Sequence, residues 1–340
     1  MTSRRSSAPT LEAVAERAGV SRATVSRVVN GSPKVTSEVL ASVNAAIEEL
    51  GYVPNRAARS LASRRTQAIA LVVPEETAKV FDEPYFANIV QGVALHLAST
   101  DYALSLLITS AGSVQKTRRY LLGGNVDGAV VVSHHEGDHL LDGVAAHLPL
   151  VFGGRPFRPT GGLTHYVDAD NVGGGRQAVK HLIDQGCTNI ATIAGPADMT
   201  AGLDRLQGFR EALSAAKLDD SLVEHGDFSP VSGAEAMRWL LARGKRIDGV
   251  FAANDQMALG AYAVLAEHGL RIPEDVKVVG FDDDRAAATA LPALTSVAQP
   301  SAEMGAEMAR LLIRLIEGAG DVPEATVMPT ELLTRASTGA

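Results

Sequence analysis

Between residues 10 and 53 the apolar positions recur at helical spacing. Leu11, Val14, Ala15 and Ala18 fall at i, i+3, i+4 and i+7, which puts them on one face of a helix that Thr10 can cap and Gly19 can end. A second helix is expected from Arg22 to Asn30, capped by Ser21, with Val25, Val28 and Val29 turned inward and Arg22, Ala23, Ser26, Arg27 and Asn30 turned out. Thr36 starts a third, with Val39, Val43, Ile47 and Leu50 on its buried side and Gly51 closing it. From residue 67 the pattern changes to short apolar runs: AIALVV (68–73), ALSLLI (103–108), GAVVV (128–132), LVF (150–152), IATIA (190–194), GVFAA (249–253) and VKVVGF (276–281). Helical segments lie between or after them near 86–98, 114–121, 171–185, 201–216, 232–242, 254–267 and 301–317. Strand–helix alternation predicts parallel sheets covered on both faces, and over 270 residues of it favour two lobes rather than one sheet.

Three short helices with a tight Ala-Gly-Val turn between the first two predict a helix-turn-helix whose second helix enters the major groove of DNA. Arg22 is the candidate base reader, since a guanidinium bonds guanine bidentately, and Ala23 can pack on a thymine methyl. Ser21, Thr24, Arg27 and Asn30 are the candidate phosphate contacts, with Arg27 also within reach of a base, and Ser26 is a further candidate DNA contact. After Pro54 the stretch Asn55, Arg56 to Ser63 is long enough for about two helical turns, too short to be stable alone. Asn55, Arg56 and Arg59 are its candidate DNA contacts. Leu61 is the candidate wedge for a minor-groove step, its bland alternative being a linker leucine packed on the body. The predicted division is therefore a head at 1–53, a hinge at 54–66 and a body at 67–340.

Charge sharpens this picture. Residues 1–66 hold ten Lys/Arg against five Glu, a net of +5, which leaves −13 on the rest of a chain whose total is −8. A basic head on an acidic body is the asymmetry expected when only the head meets phosphate. The lone Cys187 allows no internal disulfide and no multi-cysteine zinc site. His134, His135 and His139 show no convincing carboxylate or cysteine partner in the sequence, so neither metal nor cofactor is expected. No apolar run reaches the length of a membrane span, and MTSRRSSAPT has no apolar core of a secretory signal, so a cytoplasmic protein is expected. GGGR (173–176) falls inside a predicted helix and lacks dinucleotide-loop spacing. No P-loop, nucleophile elbow or Ser-His-Asp set is in evidence, and no enzyme is expected.

TLEAVAERAGVSRATVSRVVNGSPKV together with GYVPNRAARSLA resembles the head and hinge of the LacI/GalR family of bacterial repressors, and the likeness continues to about residue 335. The resemblance implies a body with the fold of periplasmic sugar-binding proteins. It would have an N-lobe of about 67–168 plus 301–328, a C-lobe of about 169–297 plus 329–340, and three crossovers between them. It also implies that Leu61 is an intercalating hinge leucine. Two heads of a homodimer would read a pseudo-palindromic double-stranded operator, and a small molecule in the cleft would release it.

Candidate effector contacts follow the strands. Tyr85 and Phe86 offer aromatic faces to a sugar ring, and Arg155 follows another strand. By the resemblance Phe228 stacks on the effector, Arg205 holds its hydroxyls or carboxylates, and Asn254 and Asp282 are polar contacts. Asp255 reads as a helix cap, Asp168 and Asp170 as turn and cap residues, and Trp239 as core. GGRPF, YVDADNVGGGRQA, IATIAGPADMTAG and GDF look like a subgroup of actinobacterial repressors that sense cellobiose and related oligosaccharides, so a mono- or oligosaccharide effector is implied. Rival readings are a regulator that uses a corepressor or a non-sugar ligand, a stand-alone sugar-binding protein, and a sugar-acting enzyme.

Overall fold

In the computed structural model, residues 9–29, 34–53, 65–157 and 164–339 are described. The chain divides into two units, Met1–Gln67 and Ala68–Ala340. Within the first, α1 (Leu11–Ala18) starts where Thr10 accepts a hydrogen bond from the Ala13 amide at 3.3 Å, and ends at Gly19, whose φ of 67° suits a residue without Cβ. Ser21 caps α2 (Arg22–Val29) by accepting from the Thr24 amide at 3.2 Å. Gly51 closes α3 (Ser37–Leu50) in the same left-handed conformation as Gly19. Val14, Val25 and Val43, one from each helix, are fully buried together and hold the three at fixed angles.

The second unit carries two six-stranded sheets. The first contains β1 (Ala68–Val73), β2 (Ala103–Ile108), β3 (Gly128–Val132), β4 (Leu150–Gly153), β5 (His165–Ala169) and, from far along the chain, β11 (Ala325–Met328). Its order is β11-β5-β4-β3-β1-β2 and every pairing is parallel. The second contains β6 (Ile190–Ala194), β7 (Val223–His225), β8 (Gly249–Ala252), β9 (Lys277–Asp282), β10 (Thr295–Ala298) and β12 (Glu331–Leu333), in the order β12-β10-β9-β8-β6-β7. It is parallel except for β12, which runs antiparallel on β10. Helices α4 (Thr77–Asp82), α5 (Pro84–Leu97), α6 (Val114–Leu122) and α12 (Ser301–Ile316) accompany the first sheet. Helices α7 (Asn171–Asp184), α8 (Thr200–Ala216), α9 (Pro230–Ala242), α10 (Asp255–Glu267) and α11 (Arg285–Thr289) accompany the second.

All seven expected strands and all seven expected body helices are present, four of the strands with the expected ends and the rest of the ends within two residues. Five strands escaped the sequence reading for a common reason, the absence of an apolar run. β5 (HYVDA) and β10 (TSVA) bury polar side chains, and β7, β11 and β12 are short edge strands with exposed positions. Trp239 corrects another expectation. It shares helical spacing with the fully buried Met237 and Leu240, yet it points away from the core and is 67% exposed.

Helices α7 and α8 lie backbone to backbone, and the glycines of both make this possible. A Cβ on Gly208 would stand 2.2 Å from the Val172 carbonyl oxygen, and one on Gly175 would stand 2.5 Å from the carbonyl oxygen of Arg205. The glycines of GGGR therefore serve helix packing and bring Arg205 close to the start of α7. Gly208→Ala is expected to lower unfolding stability by roughly 1–3 kcal/mol, because the neighbouring atoms are backbone and cannot swing aside. A urea unfolding midpoint unchanged from the parent chain would contradict this packing account.

Candidate functional site

Two regions carry chemistry. On the head, α2 presents Ser21, Arg22, Ala23 and Arg27 to solvent, while Thr24 and Ser26 are half-buried. The hydroxyls of Ser21 and Thr24 lie 2.9 Å apart at the helix start. Arg22 forms an ion pair with Glu12 of α1 at 3.1 Å, and both side chains are mostly exposed. An exposed pair of this kind contributes about 0.2–1 kcal/mol, so a phosphate or base can displace Glu12 at little cost. Asn30, Asn55, Arg56, Arg59 and Leu61 lie outside the described residues.

In the body, a cavity opens between the two sheets, at the carboxyl ends of their strands. The chain passes between the sheets three times, after β5, after β10 and after β11, and the first two passages supply lining residues of this cavity, Asn171 and Gln299. Tyr85 and Phe86, whose rings meet edge to face at a centroid distance of 5.5 Å, line it from the start of α5. Phe86 also packs in the core of the first lobe. Phe228 lines it after β7, in the left-handed region at φ 74°. Such a backbone costs energy in a residue with a side chain and persists only where its surroundings enforce it. Here Asn254 does so, donating from Nδ2 to the Phe228 carbonyl at 2.9 Å.

Arg205 is the centre of the site. It is 4% exposed and its guanidinium lies 3.7 Å from the centroid of the Phe281 ring. Nε donates to Asn171 Oδ1 at 2.9 Å, and Nη1 donates to the Ala253 carbonyl at 2.5 Å and to Asp282 Oδ1 at 3.3 Å. Gln299 Nε2 donates to the same Asp282 oxygen at 2.6 Å, and Asn171 Nδ2 donates to Asp168 Oδ1 at 2.9 Å. One hydrogen-bonded chain therefore runs Asp168–Asn171–Arg205–Asp282–Gln299 and ties both cavity-lining passages together. Burial pushes the Asp282 carboxyl up to about 6 in spite of the Arg205 guanidinium. Burial also raises Asp168, against the amides of Arg155 and Ala169 that its oxygens accept from.

Several sequence expectations need correction. Asn254 does not line the cavity: its Oδ1 caps α10 by accepting from the Met257 amide at 2.9 Å, and it acts on the site through Phe228. Asp255 is not the cap but a fully buried carboxylate that accepts from Ser296 Oγ at 2.6 Å and from the Asp284 amide at 2.8 Å. Arg155 is also absent from the lining. Its guanidinium reaches across to Asp204 of α8 at 2.7 Å, a bridge between the lobes, while its carbonyl accepts from Thr200 Oγ1 at 2.6 Å. Asp168, read as a turn residue, lies in β5 and faces the cavity, whereas Asp170 does cap α7. His135 has the carboxylate partners the sequence did not reveal, Asp198 at 2.9 Å and Glu75 at 3.1 Å. The hydrogen bond to Glu75 raises it to about 9 against the cost of burial. His139 pairs with Asp142 at 3.0 Å. Among the described residues no group of three or more His, Cys, Asp or Glu is placed to hold a metal ion.

The lining further includes Glu83, Ser133, His134, Met199, Thr200, Gln299 and Met304, of which the sequence pointed only to His134, and that for metal rather than for an effector. Ser133, His134 and Gln299 directly follow a strand's carboxyl end, which was the available signal. The arrangement suits a neutral polyhydroxylated molecule: aromatic faces for C–H surfaces, and a few fixed polar groups for hydroxyls. Replacing Arg205 with Ala would leave Asp282 buried without its cation, and a loss of about 3–5 kcal/mol in unfolding free energy is expected. Chemical denaturation with no such loss would show that Asp282 does not depend on Arg205.

Comparison with known proteins agrees with both regions. Residues 10–55 match the profile of bacterial regulatory proteins of the lacI family, and residues 179–338 match the periplasmic binding protein-like domain. The HTH-type transcriptional regulator CelR of Thermobifida fusca is 50% identical over 336 residues, 97% of this chain and 98% of that protein. A solved CelR–cellobiose complex superposes with a TM-score of 0.77 at 48% identity, over 97% of this chain and 99% of that one. The Lac repressor dimer bound to operator and the anti-inducer ONPF gives a TM-score of 0.85 at 28% identity, over 98% of this chain and 99% of that one. No helix among the described residues is long and apolar enough to cross a membrane. The chain belongs to the LacI family of bacterial regulatory proteins, as a DNA-binding transcriptional regulator and not an enzyme.

Proposed function

We propose that this regulator is a cytoplasmic repressor of carbohydrate-utilisation genes that releases its operator when cellobiose, or a closely related β-glucoside, occupies the cavity between its lobes. The observation that carries the reading is the cavity itself, in which the Arg205–Asp282–Gln299 cluster lies among the rings of Tyr85, Phe86 and Phe228. The likeness to CelR, seen in complex with cellobiose, supports the choice of sugar. Arg205 and Asp282 are assigned to sugar hydroxyls and Phe228 to stacking, while Asn254 and Arg155 position the site from outside it.

On the DNA side, Arg22 and Ala23 are assigned to base edges. Ser21, Thr24, Ser26, Arg27, Asn30, Asn55, Arg56 and Arg59 are assigned to phosphates, and Leu61 to a minor-groove wedge. A homodimer reading a pseudo-palindrome is part of the proposal, and the 95% exposed Leu291 marks apolar surface that a second copy can cover. To carry the operator-bound state from 99:1 to 1:99, the sugar must prefer the released state by about 5.5 kcal/mol.

Fluorescence anisotropy on a labelled palindromic operator, at one fixed salt concentration, tests the reading. Cellobiose is expected to lower operator affinity steeply, with glucose much less effective. Operator binding that cellobiose tightens would turn the proposal into corepression, and binding that it leaves unchanged would remove the sugar assignment. In the same assay Leu61→Ala is expected to weaken specific binding at least tenfold while sparing non-specific binding, and equal losses in both would argue against a wedge.

A further inference from the structure

Glu83 stands apart from the other acidic groups of the cavity. It occupies the N-cap position of α5, yet its side chain accepts no hydrogen bond from the amides of the first turn. No hydrogen bond joins its carboxyl to another described residue, whereas Asp168 and Asp282 are each held by two or more donors. The side chain instead lines the cavity from the first lobe, alongside Tyr85 and Phe86, with Asp282 and Gln299 among the other lining residues. A polar group spent neither on its helix nor on a neighbour is free to serve a ligand.

We propose that Glu83 is a specificity-determining residue of the effector site, whose carboxyl, spent on no neighbour, hydrogen-bonds the hydroxyls of the sugar. The inference rests on the sugar reading above and adds to it which group selects for a neutral polyhydroxyl ligand over an anionic one. Burial, and then the charge of Asp282, raise Glu83 to about 8. Glu75 acts in the same direction, while Lys79 of α4 and Arg205 of α8 lower it. The remaining titratable groups of the cavity wall are Asp168, Tyr85 and His134, and His135 lies nearby on Glu75.

A neutral Glu83 offers one O–H and one C=O to adjacent hydroxyls. Ionised, it offers acceptors alone and sets a second negative charge near Asp282 in a space of low dielectric. A carboxyl with a raised pKa keeps its neutral form below that value and loses it above. Sugar affinity is therefore expected to hold through neutral pH and to fall as pH rises through about 8.

Isothermal titration of cellobiose into the full chain, at pH 7 and pH 9, tests this. Wild type is expected to bind more weakly at pH 9. Glu83→Gln, which keeps a donor and an acceptor without a charge, should bind within threefold of wild type at pH 7 and lose less affinity between the two pH values. Glu83→Ala should bind at least tenfold more weakly at pH 7. Because the His135 pairs with Glu75 and Asp198 also weaken near pH 9, the difference between wild type and Glu83→Gln is what isolates Glu83. A glucuronic-acid disaccharide should bind wild type far more weakly than cellobiose does. Thermal unfolding of each variant separates a folding defect from a binding one. Equal binding by Glu83→Ala and wild type would overturn the proposal, as would a Glu83→Gln loss as large as that of Glu83→Ala. Wild type that binds no cellobiose at all would overturn the sugar reading, and this inference with it.

Discussion

A buried guanidinium costs several kcal/mol of lost hydration unless every donor direction finds a partner, and the body of this regulator is organised around meeting that demand for Arg205. The side chain is sandwiched on Phe281 and bonded to Asn171, to the Ala253 carbonyl and to Asp282. Its partners come from the first residue of α7, the end of β8 and the end of β9, so its geometry holds only when the second sheet and its helices are in place. Through Asn171 and Gln299 the same network reaches two of the three passages between lobes. A ligand that changes the environment of Arg205 or Asp282 therefore acts on the segments about which the lobes can move.

The contacts between the lobes form a second layer on this arrangement. Arg155 bonds Asp204, Thr200 bonds the Arg155 carbonyl, and His135 bridges Glu75 on its own lobe to Asp198 on the other. They are a few polar contacts rather than packed apolar surface, which suits groups that must separate and rejoin. The strong, dry interactions lie within each lobe, in the apolar clusters around Phe251 and Phe281 on one side and Ile89 and Leu312 on the other. Packed apolar surface within lobes and a few polar contacts between them is the balance that lets a small ligand bias a large movement.

Function was legible in the sequence to different depths at its two ends. The head follows from local rules: caps at Thr10 and Ser21, left-handed glycines at 19 and 51, and valines at helical spacing. Each acts within a few residues of itself, so reading along the chain recovers it. The cavity was only half legible. Arg205, Phe228, Asp282, Tyr85 and Phe86 were picked out and do line it, while Asn254 and Arg155 were picked out and do not. Glu83, Asp168 and Gln299 were overlooked as site residues. An Asp at a strand end reads alike whether it caps a helix or faces a ligand, because the difference lies in what stands across the cleft.

The sequence by itself determined the apolar strands, the longer helices and the charge contrast between head and body, because periodicity, capping and composition are properties of neighbouring residues, and its motifs carried the resemblance to the family. Only the tertiary structure decided which strands share a sheet, where β5, β10, β11 and β12 belong, and that Asn254 shapes the site by holding Phe228 rather than by lining it. These depend on pairings between residues as far apart as Asp170 and Thr330, or Tyr166 and Ala325, and no local pattern encodes a partner more than a hundred residues away.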